Sequence, residues 1–253
     1  AVLASNTHSA RKGRDALETR WNIPEAARVN SDGLMANLRA QAPKGINVVS
    51  RGEVDAVMAK AANVIEAEYE FPFLAHAAME PMNCTINYDG KSAELWSGHQ
   101  MPTTDRATAA TILGLDPEKV KVNTVYAGGS FGRRASKTSD YVVEAAELVK
   151  IVKKPIKVVW TREDDMQGGY YRPINYHKVR IGLDDKKQLT GWDHQMAGQS
   201  VIGGSVFEPM MVKNGHEATM TEGVHDTHYN IPTFRFLQAR VDSPVTTLWW
   251  RSV

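Results

Sequence analysis

The sequence predicts an α+β fold, and three observations carry that prediction. Helical periodicity dominates the first sixty residues and strand periodicity takes over from Asn63. Two segments carry hairpin chemistry, and the amphipathic helices are too few to alternate with every strand, as a doubly wound parallel sheet would require. No repeat of fixed period is present.

In chain order, residues 5–17 read as a short helix with Ser5 or Asn6 as N-cap, followed by an extended piece at 18–22. Residues 31–40 form a second helix with Leu34, Met35 and Leu38 on one side. Ala42-Pro43-Lys44-Gly45 reads as a linker, and 52–61 as a third helix. From Asn63 alternation sets in, with Ile65, Ala67, Tyr69 and Phe71 on one face and Val64, Glu66, Glu68 and Glu70 on the other. Residues 85–88 and 92–96 flank Asp89-Gly90, whose readiness for positive φ marks a tight hairpin turn. A helix over 104–113 ends at Gly114, and 120–126 is a strand. A glycine-rich loop, 127–134, leads to a helix over 139–153 with Val142, Val143, Ala146 and Val149 on one face. Residues 156–161 are a strand, 176–183 and 188–195 a second hairpin, 198–232 mostly loop, and 234–241 a final strand. The boundary expected from this pattern separates 1–50, the end of a preceding α/β domain with its linker, from 51–253. Ala1–Ala4 reads like a strand end, and the abrupt termini suggest a segment of something longer.

The bulk numbers narrow the function. Hydrophobic residues at 42% and charged residues at 23% are ordinary for a globular domain and argue against wholesale disorder. A net charge of +1 lacks the basic surplus that displaces counterions from nucleic acid. The lone Cys84 excludes an internal disulfide and a protein-ligated iron–sulfur cluster, which takes four thiolates. The longest apolar stretch, 201–212, contains Glu208, Pro209 and two glycines and is too short to span a bilayer.

Four local features can carry chemistry, and each has a plainer reading. Gly128-Gly129-Ser130-Phe131-Gly132 lies between a strand and a helix, where backbone N–H groups can approach an anion. It lacks the Gly-Lys-Ser/Thr of a Walker loop and the spacing of a dinucleotide fingerprint, and it fits a tight turn as well. Glu80, in Ala75–Met82, is either an acid–base group of raised pKa or, the favoured reading, a loop carboxylate bonded to backbone amides. Gln100, after Leu95-Trp96-Ser97-Gly98-His99, can donate to an oxo group or simply end a strand. Arg251, after Trp249-Trp250, can stack on an aromatic or hold an anion. The histidines form no metal pattern: His216-Glu217 begins like a zincin helix but Met220 stands where a second His is needed, and His225 and His228 lack a partner.

Together these residues resemble one family, the large subunit of xanthine oxidase-type molybdenum hydroxylases. Met79-Glu80-Pro81, the hairpin ending at Gln100, Leu113-Gly114-Leu115 and the Gly128–Gly132 loop follow that family's order and spacing. Arg133-Arg134, Glu144-Ala145-Ala146, Val159–Met166 and Tyr171-Arg172-Pro173 look like the isoquinoline 1-oxidoreductase β-subunit and membrane-associated aldehyde dehydrogenase branch. The resemblance implies the first molybdopterin-binding domain of such a subunit, with hairpins and flanking helices. By position, Gln100 would donate to the apical oxo ligand of molybdenum, Gly128, Gly129, Ser130, Phe131 and Gly132 would line the pterin, and Arg251 would lie in the substrate pocket, with no direct metal ligand from the chain.

The implied activity is hydroxylation of an aldehyde or N-heterocyclic carbon with water. The implied cofactor is molybdopterin with molybdenum in its cytosine dinucleotide form, and electrons would leave through [2Fe-2S] clusters on a small partner subunit. The family's general-base glutamate belongs to the remaining part of the large subunit, so these 253 residues alone are expected to be inactive. Ser130 replaces the third loop glycine, and Ala135 stands where purine-oxidising members carry a carboxylate, which argues against purines. A non-catalytic assembly module of the same fold and a phosphate- or nucleotide-binding protein are the rival readings. The compartment stays open between bacterial cell envelope and cytoplasm.

Overall fold

The computed structural model describes residues 1–250. Its strands, in chain order, are β1 (Ile46–Arg51), β2 (Asn63–Phe71), β3 (Asn83–Tyr88), β4 (Ala93–Ser97), β5 (Val120–Thr124), β6 (Ile156–Val159), β7 (Asn175–Leu183), β8 (Leu189–Gly198) and β9 (Phe234–Arg240), with three further two-residue pairings or bridges outside them. The helices of six or more residues are α1 (Thr7–Asp15), α2 (Ser31–Gln41), α3 (Val54–Lys60), α4 (Pro102–Leu113), α5 (Asp140–Val152) and α6 (Arg162–Gln167). The expected α+β class is what the molecule has: two mixed sheets, each with helices packed on it.

The smaller sheet runs β5-β4-β3-β6. The β3–β4 hairpin turns at Asp89-Gly90, where Asp89 Oδ1 accepts the amides of Lys91 and Ser92 and Gly90 takes φ +87°. β4 and β5 are parallel, which needs a crossover, and α4 supplies it. Gly114 closes α4 in the left-handed region at φ +68°, as its position after the periodic run predicts. α4 and α5 cover one face: Ala109, Ala110 and Leu113 of α4 and Val142, Ala145, Ala146 and Val149 of α5 pack on Cys84, Ile86, Leu95, Val120 and Ile156. Each large aliphatic side chain buried there contributes about 1.5–3 kcal/mol of transfer free energy.

The larger sheet runs β1-β9-β8-β7-β2, with β8 and β9 parallel and the other pairs antiparallel. Its β7–β8 hairpin turns at Asp184–Lys187, where Asp184 Oδ1 caps the amides of Lys186 and Gln188.

Several expectations need correction. Ala1–Ala4 is not a strand. Ala42-Pro43-Lys44 is not a slack linker but a 3-10 turn whose Ala42 is fully buried. Ile46–Arg51 has no clean alternation, yet it pairs with the distant β9, Arg51 opposite Phe234 and Ile46 opposite Gln238, because Val48 and Val49 find a hydrophobic cluster to enter. α6 went unexpected; its capping box, Thr161 with Asp164, stabilises a helix too short to show periodicity. The 198–232 segment is mostly loop, with one-turn helices at Glu208–Met211 and Ala218–Thr221.

Candidate functional site

The site lies at the carboxyl ends of the parallel pair β4 and β5, the place where open α/β sheets expose loops to ligands. Because these strands run side by side in one direction, the chain leaving β4 toward Gln100 and the chain leaving β5 toward the glycine loop emerge at the same edge. The ladder continues past the strands: the Val125 amide donates to Ser97 O at 3.0 Å. Gly98 is then pressed against Ala127, and a Cβ on Gly98 would stand 2.7 Å from the Ala127 Cα. Glycine is required there by close backbone approach.

Gln100 and the loop are in direct contact. Gln100 Oε1 accepts from the Ser130 hydroxyl at 2.8 Å and from the Arg134 amide at 3.0 Å. A backbone N–H can only donate, so the Arg134 amide dictates which end of the carboxamide is oxygen. The Gln100 NH2 is thereby turned away from the loop, and it makes no hydrogen bond among the described residues. The loop itself winds through positive φ at Gly129 (+77°), Phe131 (+54°) and Gly132 (+96°). A left-handed Phe is costly and persists only where its surroundings dictate it. The amides of Ser130, Phe131 and Gly132 have no acceptor among the described residues, although Ser130 and Gly132 are buried. Phe131 is 41% exposed rather than sunk in a core. Three successive unclaimed donors beside a free carboxamide donor suit an oxygen-rich, anionic ligand.

The segment containing Glu80 is laced to the same loop. The Met79 and Glu80 amides donate to Gly129 O (2.9 Å) and Gly128 O (2.8 Å), and Glu80 Oε2 accepts the Gly128 amide at 2.9 Å. A Cβ on Gly128 would meet that carboxylate at 2.6 Å. Burial pushes the Glu80 carboxyl up, but hydrogen bonds from Asn83 and Gly128 and the Arg134 charge outweigh it, and the net shift is down. Glu80 is the amide-bonded loop carboxylate, not an acid of raised pKa.

Two groups escaped the sequence reading. Arg133 and Arg134, which the sequence offered only as a mark of the family branch, are both buried. Arg134 donates to Ser97 Oγ (2.8 Å), Asn83 O (3.2 Å), Pro81 O (3.3 Å) and Glu80 Oε1 (3.1 Å), tying four points around the site together. Arg133 pairs with Asp140 at the start of α5 and lies over the Trp160 and Tyr170 rings at 5.5 and 5.4 Å. Next to Gln100, His99 Nδ1 meets Asp105 Oδ2 at 2.7 Å, and the Tyr141 hydroxyl donates to the same oxygen at 2.9 Å. Burial and the Asp105 charge push the Tyr141 phenol up. The spacing of His99, Asp105 and Tyr141 carries no motif that could have announced the cluster.

Arg251 lies outside the described residues. His216 and His225 both bond Thr221 Oγ1, at 2.8 and 3.0 Å, so Thr221 is the partner that His225 lacked in the sequence. Among the described residues no group of three or more His, Cys, Asp or Glu is arranged to hold a metal ion, and no helix is long and apolar enough to cross a membrane.

A model of the molybdopterin cofactor-binding domain matches residues 38–242, most of the chain. The chain belongs to that family, the molybdopterin-binding domain of xanthine oxidase-type molybdenum hydroxylases. Among its relatives, the isoquinoline 1-oxidoreductase subunit beta of Brevundimonas diminuta is 32% identical over 213 residues, which is 79% of this chain and 27% of that protein. The membrane-bound aldehyde dehydrogenase [pyrroloquinoline-quinone] of Gluconacetobacter polyoxogenes is 27% identical across 100% of this chain and 34% of its own length. The fold matches quinoline 2-oxidoreductase from Pseudomonas putida 86 with a TM-score of 0.72 and 16% identity, covering 98% of this chain and 32% of that one. The molybdopterin-binding domain thus spans about a third of the proteins it resembles.

The residues present fit the cofactor of this family. The unclaimed amides of Ser130, Phe131 and Gly132 and the unpaired Gln100 NH2 provide donors for an oxygen-rich group.

Proposed function

We propose that this domain is the first molybdopterin-binding portion of a large subunit that hydroxylates an aldehyde or an N-heterocyclic carbon. The observation that carries the reading is the Gln100 carboxamide, whose oxygen is held by Ser130 and the Arg134 amide so that its NH2 is the free end. When bound, the molybdenum cofactor supplies the oxidising capacity and the oxygen to be transferred. The chain's own part is positioning. The Gln100 NH2 would donate to an oxygen of the group, the amides of Ser130, Phe131 and Gly132 would hold its adjoining edge, and the partly exposed Phe131 would limit water there. Arg251 belongs to the substrate side in this reading, and the cytosine dinucleotide form of the cofactor is part of the proposal. Electrons would pass to a small subunit bearing [2Fe-2S] clusters, and a carboxylate from the rest of the large subunit would act as base. The boundary near residue 50 between a preceding domain and this one also belongs to the proposal.

Ala135 follows the loop where a carboxylate would favour purines, which supports an apolar or weakly polar substrate. The relatives named for aldehydes and for isoquinoline support the same class. The test is Gln100→Ala in the cofactor-loaded enzyme. Losing a hydrogen bond to a charged group, about 1.5–3 kcal/mol, should lower kcat roughly 10- to 150-fold with molybdenum content unchanged. Unchanged kinetics at full molybdenum loading would remove Gln100 from the site.

A further inference from the structure

We propose that Ser130 is a positioning residue that immobilises the Gln100 carboxamide in the donating orientation that the Arg134 amide sets, a role that rests on the reading of Gln100 given above. A side-chain amide has two faces, and a half-turn about its last torsion exchanges acceptor for donors. An obligate donor at one end therefore decides what the far side offers, and here that donor is the Arg134 amide. The end of β4 is held residue by residue. Ser97 Oγ donates to Asn83 O (2.8 Å) and accepts from Arg134 (2.8 Å), Gly98 is closed against Ala127, and His99 is bonded to Asp105 (2.7 Å).

Gln100 is the next residue and the first whose side chain is not itself buried. Its backbone is thus placed by the strand, but its carboxamide is placed by two contacts from the glycine loop. One is the Arg134 amide at 3.0 Å, a backbone donor that any residue would supply. The other is the Ser130 hydroxyl at 2.8 Å, on a residue only 5% exposed. Ser130 is the one side chain of the loop that reaches Gln100 among the described residues.

The lock also explains how a side chain is accommodated in the middle of a loop built for backbone approach. The strained positions with positive φ fall on Gly129, Phe131 and Gly132 and not on Ser130, so a Cβ there costs no backbone strain. The hydroxyl points at Gln100, which leaves the Ser130 amide among the unclaimed donors. Ser130 therefore serves twice: its amide stays unclaimed and its hydroxyl holds still the carboxamide oxygen that the Arg134 amide has oriented.

The experiment has two readouts. In the 253-residue chain labelled with 15N-glutamine, the Gln100 side-chain NH2 should show a high heteronuclear NOE, the mark of an ordered amide. Ser130→Ala and Ser130→Gly should lower it toward the values of exposed glutamines, and Ser130→Thr, which keeps the hydroxyl, should restore it. In the cofactor-loaded enzyme the same two variants should lower kcat roughly 2- to 10-fold with KM unchanged, because one neutral hydrogen bond is lost while the Arg134 amide remains. An NOE unchanged in Ser130→Ala and Ser130→Gly overturns the lock. An NOE that falls, with Gln100→Ala fully active, leaves the lock standing and overturns the role of Gln100.

Discussion

Arg134→Ala tests how much of the site's frame depends on one buried cation. Arg134 is inaccessible to solvent and donates to Ser97 Oγ, Asn83 O, Pro81 O and Glu80 Oε1 while lying 5.6 Å from the Tyr141 ring centroid. Breaking a buried ion pair by removing one partner typically costs about 3–5 kcal/mol. Two features pull the value to the lower half of that range. The Glu80 side chain is 38% exposed and can be rehydrated, and Ser97 Oγ keeps Asn83 O as its own acceptor. The lost side chain also leaves a cavity beside the Tyr141 ring. The expected loss is about 3–4 kcal/mol, which for a domain of this size lowers Tm by roughly 6–16 °C. Arg134→Lys keeps the charge but cannot span four acceptors with a planar fork, and it should fall between the two. The assay is urea and thermal unfolding followed by circular dichroism. A fall of less than about 3 °C for Arg134→Ala would mean that water replaces the arginine at negligible cost, and the account of Arg134 as the tie of the site would be wrong.

Acid should loosen the larger sheet. Burial lowers His177 to about 4 and His194 to about 3, the latter helped by the His177 charge, while unfolded imidazoles titrate near 6.5. The unfolded chain therefore binds more protons below pH 6.5, so stability is full above that value and drains as pH falls toward 4. The difference in unfolding free energy between the native chain and His177→Phe/His194→Phe should shrink over that window, and a pH-independent difference would contradict the burial argument. Gly98→Ala puts a Cβ 2.7 Å from the Ala127 backbone and should destabilise the domain and lower molybdenum content. Gly114→Ala meets nothing within 4 Å and should cost only the roughly 1–2 kcal/mol of left-handed strain. Equal effects of the two in unfolding and metal analysis would deny the close approach of strand end and loop.

The helices α2, α4 and α5 and both hairpins were legible because each carries its own local signal. Leu34, Met35 and Leu38 mark α2, Gly114 ends α4, and Asp89-Gly90 and Asp184–Lys187 turn the hairpins. β1 and α6 were not, because the first is stabilised by a partner strand far along the chain and the second by a cap and by packing. Of the site, the glycine loop and Gln100 could be pointed out as a pair only through the order of motifs along the chain. Nothing in the sequence between them says that a hydroxyl at 130 and a carboxamide at 100 meet.

Composition and charge alone set aside a nucleic-acid partner and a cluster ligated by this chain's thiols, since those need a charge surplus or cysteines that are not there. The local pattern also determined the α+β class, through periods of 3.6 and 2 written in neighbouring residues. The tertiary structure decided which of the polar residues matter to one another. A parallel strand pair delivers two distant loops to one edge, and burial then turns Arg134, Glu80 and Ser130 from ordinary polar residues into the frame around Gln100. Hydrogen bonds at 3 Å between residues 30 or 50 apart depend on how the sheet closes, and that information resides in the packing of the whole chain rather than in any window of it.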